Sequence, residues 1–116
     1  MPIVENSLSS KAFRPSDIIK SRSGIFVEIG DTDAEGRLIL GDALSYASEK
    51  KTDLIIDMAT LTGASRVALG TDVPSFFSNK KEISKKLIEF SEITGDPLWE
   101  LPLWKNYESQ LESHHA

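Results

Sequence analysis

Residues 31–42 read DTDAEGRLILGD, and the carboxylates and glycines in this stretch recur at intervals that two kinds of metal chemistry use. One is a calcium loop, with Asp31, Asp33 and Glu35 at ring positions one, three and five, Gly36 at six, Leu38 at eight and Asp42 at twelve. That chemistry needs a helix before the loop and a bidentate glutamate at the twelfth position. The preceding residues carry a strand pattern instead, and the short arm of Asp42 seldom chelates with both oxygens. The other is a hydrolytic site. Asp33, Glu35 and Arg37 are spaced by two, so in an extended segment leaving a strand they project to one side. Their hard oxygens suit Mg, Mn or Zn, and the arginine beside them can hold a carboxylate-like anion through two parallel hydrogen bonds.

A purely structural reading stands beside these. Thr32 and Glu35 match the S/T-x-x-E capping box that opens helices, with Asp33 favourably placed against the helix dipole. It leaves Arg37 in the first turn, where a cation is slightly unfavourable.

The elements that must position these residues follow from the flanking pattern. Residues 11–24 read as irregular chain, because Pro15 fixes its own φ and biases Arg14 toward an extended shape. IFVEI, residues 25–29, is β-branched and aromatic between Gly24 and Gly30, and reads as a strand. From Gly36 the period changes: Leu40, Ala43, Leu44 and Ala47 mark one face of a helix running to about Lys50. DLIIDM, residues 53–58, suits a buried strand. ASRVALG is expected to form a helical turn closing at Gly70, and residues 71–79 a loop with a Phe76–Phe77 pair. Residues 80–93 form an amphipathic helix, with Ile83, Leu87, Phe90 and Ile93 on one side and lysines opposite, stopped by Gly95 and Pro97. A further helix is expected near Trp104. Strand, helix, strand, helix is an α/β order. Two strands do not make a stable open sheet, so others have to come from the N-terminal residues, a partner chain or sequence not present.

The bulk composition narrows the function classes. At 116 residues the chain is one domain at most, with 40% hydrophobic and 27% charged residues. There is no cysteine, hence no disulfide, thiol nucleophile or cysteine zinc site. A net charge of -5 argues against nucleic acid as a partner. No segment is apolar and long enough to span a bilayer, and MPIVENSLSS lacks the order of a secretory signal, so the expected location is cytoplasmic. His114 and His115 read as a frayed tail or a tag remnant.

The stretch DTDAEGRLILGDAL resembles the N-T-D-A-E-G-R-L signature of the leucyl aminopeptidases, the cytosol aminopeptidases of peptidase family M17. VENSLSSKAFRPSDII ahead of it, DLIIDMATLTGASRVALG behind it and DPLWELPLWKNY near the end resemble successive blocks of the same catalytic domain, in the same order and spacing. The resemblance implies an α/β fold, part of a mixed sheet flanked by helices, and a two-metal exopeptidase that removes N-terminal residues such as leucine from peptides. By that similarity Asp33 binds one metal and Glu35 bridges both, with Mn or Zn as the two divalent ions. Arg37 holds a bicarbonate that assists proton transfer from the nucleophilic water, and Thr60, Leu61 and Gly63 lie against the substrate. It further implies a homo-hexameric, cytoplasmic parent.

Two departures qualify the resemblance. Family members usually carry asparagine where this chain has Asp31, an extra carboxylate that either adds negative potential beside the ligands or faces solvent. The family's upstream block G-K-G-x-x-F-D-x-G-G, which supplies a lysine and an aspartate to the metals, has no counterpart in residues 1–116; nor do the second aspartate ligand and the catalytic lysine that follow it. Two carboxylates rarely hold two metals. The chain is therefore expected to be part of a catalytic domain, inactive alone, with a non-catalytic structural or oligomerising piece as the alternative.

Some residues carry bland readings. Thr60 to Gly63 suit a tight strand-to-helix turn, in which Thr caps and Gly allows close approach. Trp99, Trp104 and Tyr107 are expected to anchor a core rather than form a partner surface. Lys80, Lys81, Lys85 and Lys86 read as a solvated helix face.

Overall fold

The structure is a computed structural model that describes residues 12–116. It resolves into two compact units: one reaches to Leu61 and takes in Ser113–Ala116, the other is Thr62–Glu112.

The first unit is a β-hairpin and a long helix. Strand β1 (Ile18–Lys20) pairs antiparallel with β2 (Phe26–Glu28), in the register Ile18 to Glu28, Ile19 to Val27 and Lys20 to Phe26. The sequence pattern identifies β2, but β1 lies in the stretch that reads as irregular chain. Ile18 and Ile19 are β-branched, and the backbone bonds offered by β2 outweigh the influence of Pro15. At the open end Ser16 N donates to Ile29 O at 2.7 Å and Ile29 N to Asp17 O at 2.8 Å. The connecting turn closes through Ser21 N to Ile25 O at 2.9 Å, and Gly24 takes φ 89°, a region that favours glycine. Ile29, 2% exposed, is the buried apolar residue among those described.

Beyond β2 a 3-10 turn, Thr32–Ala34, runs directly into α1, Glu35–Glu49. The expected stripe of Leu40, Ala43, Leu44 and Ala47 is half-buried along α1. Arg22, in the hairpin turn, ties the hairpin to this helix. Its backbone N–H donates to Asp42 Oδ1 at 2.8 Å, and its Nε and Nη2 donate to Glu49 at 2.8 and 3.0 Å. The guanidinium carbon and Lys50 Nζ each sit 4.7 Å from the centre of the Tyr46 ring.

The tether is exposed and titrates. The hydrogen bond from Arg22 holds the Glu49 carboxyl below the usual glutamate range and raises the Arg22 guanidinium in turn. A lowered carboxylate pKa stabilises the fold above the ordinary glutamate value, and that contribution is lost as pH falls through the lowered one. The Arg22 Nε–H signal should therefore keep its bonded shift as pH falls past the ordinary glutamate value and lose it only at lower pH. Glu49→Gln should remove that pH dependence while leaving α1 helical.

The second unit is a small crossover. Strand β3 (Ser75–Phe76) lies parallel to β4 (Trp99–Glu100), joined through α3 (Lys81–Thr94), with Trp99 N donating to Pro74 O at 3.0 Å and Leu101 N to Phe76 O at 2.8 Å. Residues 71–79 thus hold a short strand as well as a loop. The helix expected at 64–70 is α2, Ala64–Leu69, closed at Gly70 with φ 81°. Helix α3 ends as expected: Gly95 takes the left-handed conformation at φ 70° and its N–H returns to Ser91 O. Its buried side is not the expected stripe. Ser84 and Ser91 are buried, Ile83 and Leu87 are half-buried, and Phe90 and Ile93 lie open. The lysines are solvated as expected. The helix expected near Trp104 is a 3-10 helix, Lys105–Leu111.

One expected strand is not formed. Residues 53–58 make no strand, and all are exposed, with Leu54 at 51%, Ile56 at 62% and Met58 at 92%. A strand buried on both faces needs neighbours on both edges and cover above and below, and the described residues provide neither. Trp99, Trp104 and Tyr107 are likewise exposed rather than anchoring a core. The fold class is α/β with one antiparallel and one parallel strand pair. Its elements fall into the two compact units.

Candidate active site

The chemistry-bearing residues collect where β2 gives way to α1. Asp31 is extended (φ -137°, ψ 123°), and its Oδ1 accepts the backbone N–H of Asp33 at 2.9 Å. Its carbonyl accepts from Ala34 N at 3.2 Å. The cap is therefore one residue upstream of the expected Thr32–Glu35 box, and that box does not form: Ala34 precedes α1 and gives no side-chain cap. Asparagine carries the same Oδ1 acceptor, so aspartate at this position keeps the cap.

This cap changes the expected geometry. Asp33 lies in a 3-10 turn, while Glu35 and Arg37 belong to α1, so the three do not project from an extended segment. Two residues apart on an α-helix are about 200° apart around its axis. Glu35 and Arg37 therefore point to different sides. Asp33, Glu35 and Arg37 are all exposed. Arg37 makes no ion pair among the described residues, which leaves its fork of donors free for an anion. Glu35 lines a hollow of about 220 Å³ whose wall includes Ile19, Lys20, Leu38, Ile39 and Asp42.

The placement of Asp42 removes the calcium loop. Asp42 sits within α1, its carboxylate accepts from Arg22 N, and a β-strand rather than a helix precedes the loop.

The structure brings one member of the ATLTG block to the acidic stretch. A side chain on Gly36 would begin 3.6 Å from Leu61 Cδ2, so Leu61 lies over the first turn of α1 between Glu35 and Arg37. Thr60 is exposed in the chain just ahead of it. Gly63 belongs to the other unit as the residue before α2, where Arg66 N donates to its carbonyl at 3.1 Å. Gly63 is the N-cap residue and α2 has no side-chain cap; Thr62, just ahead of it, accepts from Ala64 N through its Oγ1 at 3.3 Å. Among the described residues no atom lies within 4 Å of a Cβ built on Gly63, so the close approach expected there is not formed by them.

The contact of Leu61 with Gly36 yields a stability test. At 3.6 Å a methyl makes an ordinary contact, and Ala in a helix restricts the unfolded chain more than Gly. Gly36→Ala should raise stability by about 0.5–1 kcal/mol. Gly36→Leu should displace Leu61 and lower it by about 1 kcal/mol. Urea midpoints of the two variants decide this.

Asp33 and Glu35 offer the hard carboxylate oxygens a divalent cation takes. Among the described residues, however, no three His, Asp or Glu side chains converge on one point. The donors fit in kind, and the rest of a coordination shell has to be supplied from outside this set. His114 and His115 are exposed. Asp31, Gly36 and Arg22 are the contributors the residue pattern missed. Of these only the D-x-D spacing, which suits a local side-chain cap, signals its role in sequence.

Comparison with known proteins bears on the family of the chain. The sequence model of the cytosol aminopeptidase family, catalytic domain, matches residues 1–116. A probable cytosol aminopeptidase of Syntrophotalea carbinolica is 49% identical over the whole chain, which spans 23% of that relative. One of Sulfurihydrogenibium sp. is 50% identical over 97% of this chain and 22% of its own length. A solved mutant of tomato leucine aminopeptidase superposes with a TM-score of 0.90 at 41% identity, covering 97% of this chain and 22% of that one. The chain thus spans less than a quarter of the relatives it matches. No helix among the described residues is long and apolar enough to cross a membrane. On the match along its full length, the chain belongs to the cytosol aminopeptidase family.

Proposed function

We propose that residues 1–116 are a catalytic-domain segment of a metal-dependent, cytoplasmic aminopeptidase that removes N-terminal residues such as leucine from peptides. The observation that carries this is the meeting of the acidic stretch and the ATLTG block, with Leu61 resting on Gly36 between Glu35 and Arg37. In this reading Asp33 and Glu35 hold part of a pair of divalent ions, Mn or Zn. Such a pair polarises a scissile carbonyl and lowers the pKa of a bound water. Arg37 holds a bicarbonate or a similar anion through its fork of donors. Thr60, Leu61 and Gly63 form the substrate side, where Leu61 limits the room next to the carboxylates. The remaining ligands have to be supplied from outside the described residues, so the chain alone is not expected to turn over.

The test is a chimera in which these residues replace the matched stretch of the Syntrophotalea carbinolica relative. With Mn²⁺ it should cleave a leucine chromogenic amide and leave the N-acetylated form intact. Equal cleavage of both would remove the exopeptidase reading.

A further inference from the structure

We infer that Asp31 is a positioning residue for Asp33 and Glu35, acting as a hydrogen-bond acceptor and not as a charge or a ligand. The inference rests on the reading of those two carboxylates as metal ligands.

Asp31 makes both bonds that start the turn. Its Oδ1 takes the Asp33 N–H at 2.9 Å and its carbonyl takes the Ala34 N–H at 3.2 Å. The side-chain bond closes a ring over Thr32, and the backbone bond closes a second over Thr32–Ala34. The chain then passes without a break into α1 at Glu35. Ala34 cannot cap α1 with its side chain, and no capping bond from Thr32 replaces it. The relation between the Asp33 and Glu35 backbones is therefore set largely at Asp31.

Removing Oδ1 frees the Asp33 N–H to water and lets residues 32–34 sample other turns. Two ligands on a loosened turn must be ordered when a cation binds, and that cost weakens affinity. Three roles for Asp31 now separate by chemistry. A ligand needs a charged oxygen that reaches the ion, and a field effect needs the charge alone. A positioning role needs only an acceptor at Oδ1, which asparagine keeps.

The probe is Mn²⁺ alone, added to the chimera, in which the relative supplies the rest of the coordination shell. Paramagnetic broadening of the Asp33 and Glu35 NMR signals measures binding, and Asp33 amide exchange measures the turn. In Asp31→Asn both should stay within about twofold of the unsubstituted chimera, since the acceptor remains. In Asp31→Ala, Mn²⁺ affinity should fall about fivefold and Asp33 exchange should quicken by a similar factor, the size of a lost capping bond. Glu35→Ala should weaken Mn²⁺ binding while Asp33 stays protected.

The arms fail separately. Absence of broadening at Asp33 and Glu35, or broadening unchanged by Glu35→Ala, overturns the ligand reading and the inference with it. Dependence on Glu35 without dependence on Asp31, or equal losses in the Asn and Ala variants, overturns the positioning role alone.

Discussion

Glu35→Ala in the active chimera should lower kcat/KM for a leucine chromogenic amide by about a thousandfold, with excess Mn²⁺ present. The size follows from its position. Glu35 is the first residue of α1, held there by the turn that Asp31 caps, and it lines the hollow beside Lys20 and Asp42. In the proposed function Glu35 would help hold the divalent ions, whose stabilisation of developing charge is worth several kcal/mol without proton transfer, and each 1.36 kcal/mol is about tenfold in rate. Asp33→Ala should cost nearly as much but be partly rescued by raising Mn²⁺, since it contributes to one ion only in the proposed arrangement. Arg37→Lys keeps the charge and loses the bidentate fork, so a tenfold loss, on the order of one lost charge-assisted hydrogen bond, is expected. Glu49→Gln, on the far end of α1 from these groups, serves as the control and should leave kcat/KM unchanged. Equal losses in the control and in Glu35→Ala would mean that the helix was damaged, not the chemistry.

The second large effect concerns residues 53–58. Leu54, Ile56 and Met58 share one face of an extended chain, and they are the more open side, with Ile55 at 37% exposure on the other. Such a run of β-prone apolar residues without a ladder partner is a template for pairing with other chains. The isolated chain should accordingly associate as concentration rises, read by sedimentation velocity. Leu54→Lys together with Ile56→Lys should hold it monomeric. The same pair placed in the chimera should abolish folded protein, because the segment would there be covered on both sides. An unpaired charge in such a site costs several kcal/mol, comparable to a typical domain's whole stability of about 5–15 kcal/mol. Association that persists in the double variant would place the sticky surface elsewhere, with Trp99, Trp104 and Leu111 as the next exposed group.

The same segment shows where reading the sequence succeeds and where it stops. Local signals were legible. The period of Leu40, Ala43, Leu44 and Ala47 locates α1, Gly95 ends α3 by taking φ 70°, and Gly70 ends α2. Each depends on neighbours within a few residues. Strand β1 was not legible, because its pairing with β2 depends on a register set across the hairpin turn. DLIIDM reads as a strand, yet a strand exists only with partners to accept its backbone bonds, and the described residues supply none. The face of α3 follows the same logic. Phe90 and Ile93 carry the apolar pattern, while the surface this unit covers falls on Ser84 and Ser91.

At the site, the residue types were legible and their relative directions were not. The spacing of Asp33, Glu35 and Arg37 suggests one side of an extended chain, but the Asp31 cap begins the turn early and a helix carries the last two. Thr32 and Glu35 form a sequence match to a capping box that the structure leaves unused. Choosing between neighbouring caps depends on φ and ψ at one residue, here the extended Asp31. The contact of Leu61 with Gly36 joins positions 25 residues apart in the chain, and no local pattern encodes it.

The most direct measurement compares the isolated chain with the chimera on a leucine chromogenic amide, both with Mn²⁺ and both beside their Glu35→Ala variants. The chimera should turn over and lose that turnover with Glu35, and the isolated chain should show none in either form. Turnover by the isolated chain that depends on Glu35 would show that these residues complete a site by themselves. A folded chimera whose activity is indifferent to Glu35 would contradict the assignment of the acidic stretch to the chemistry.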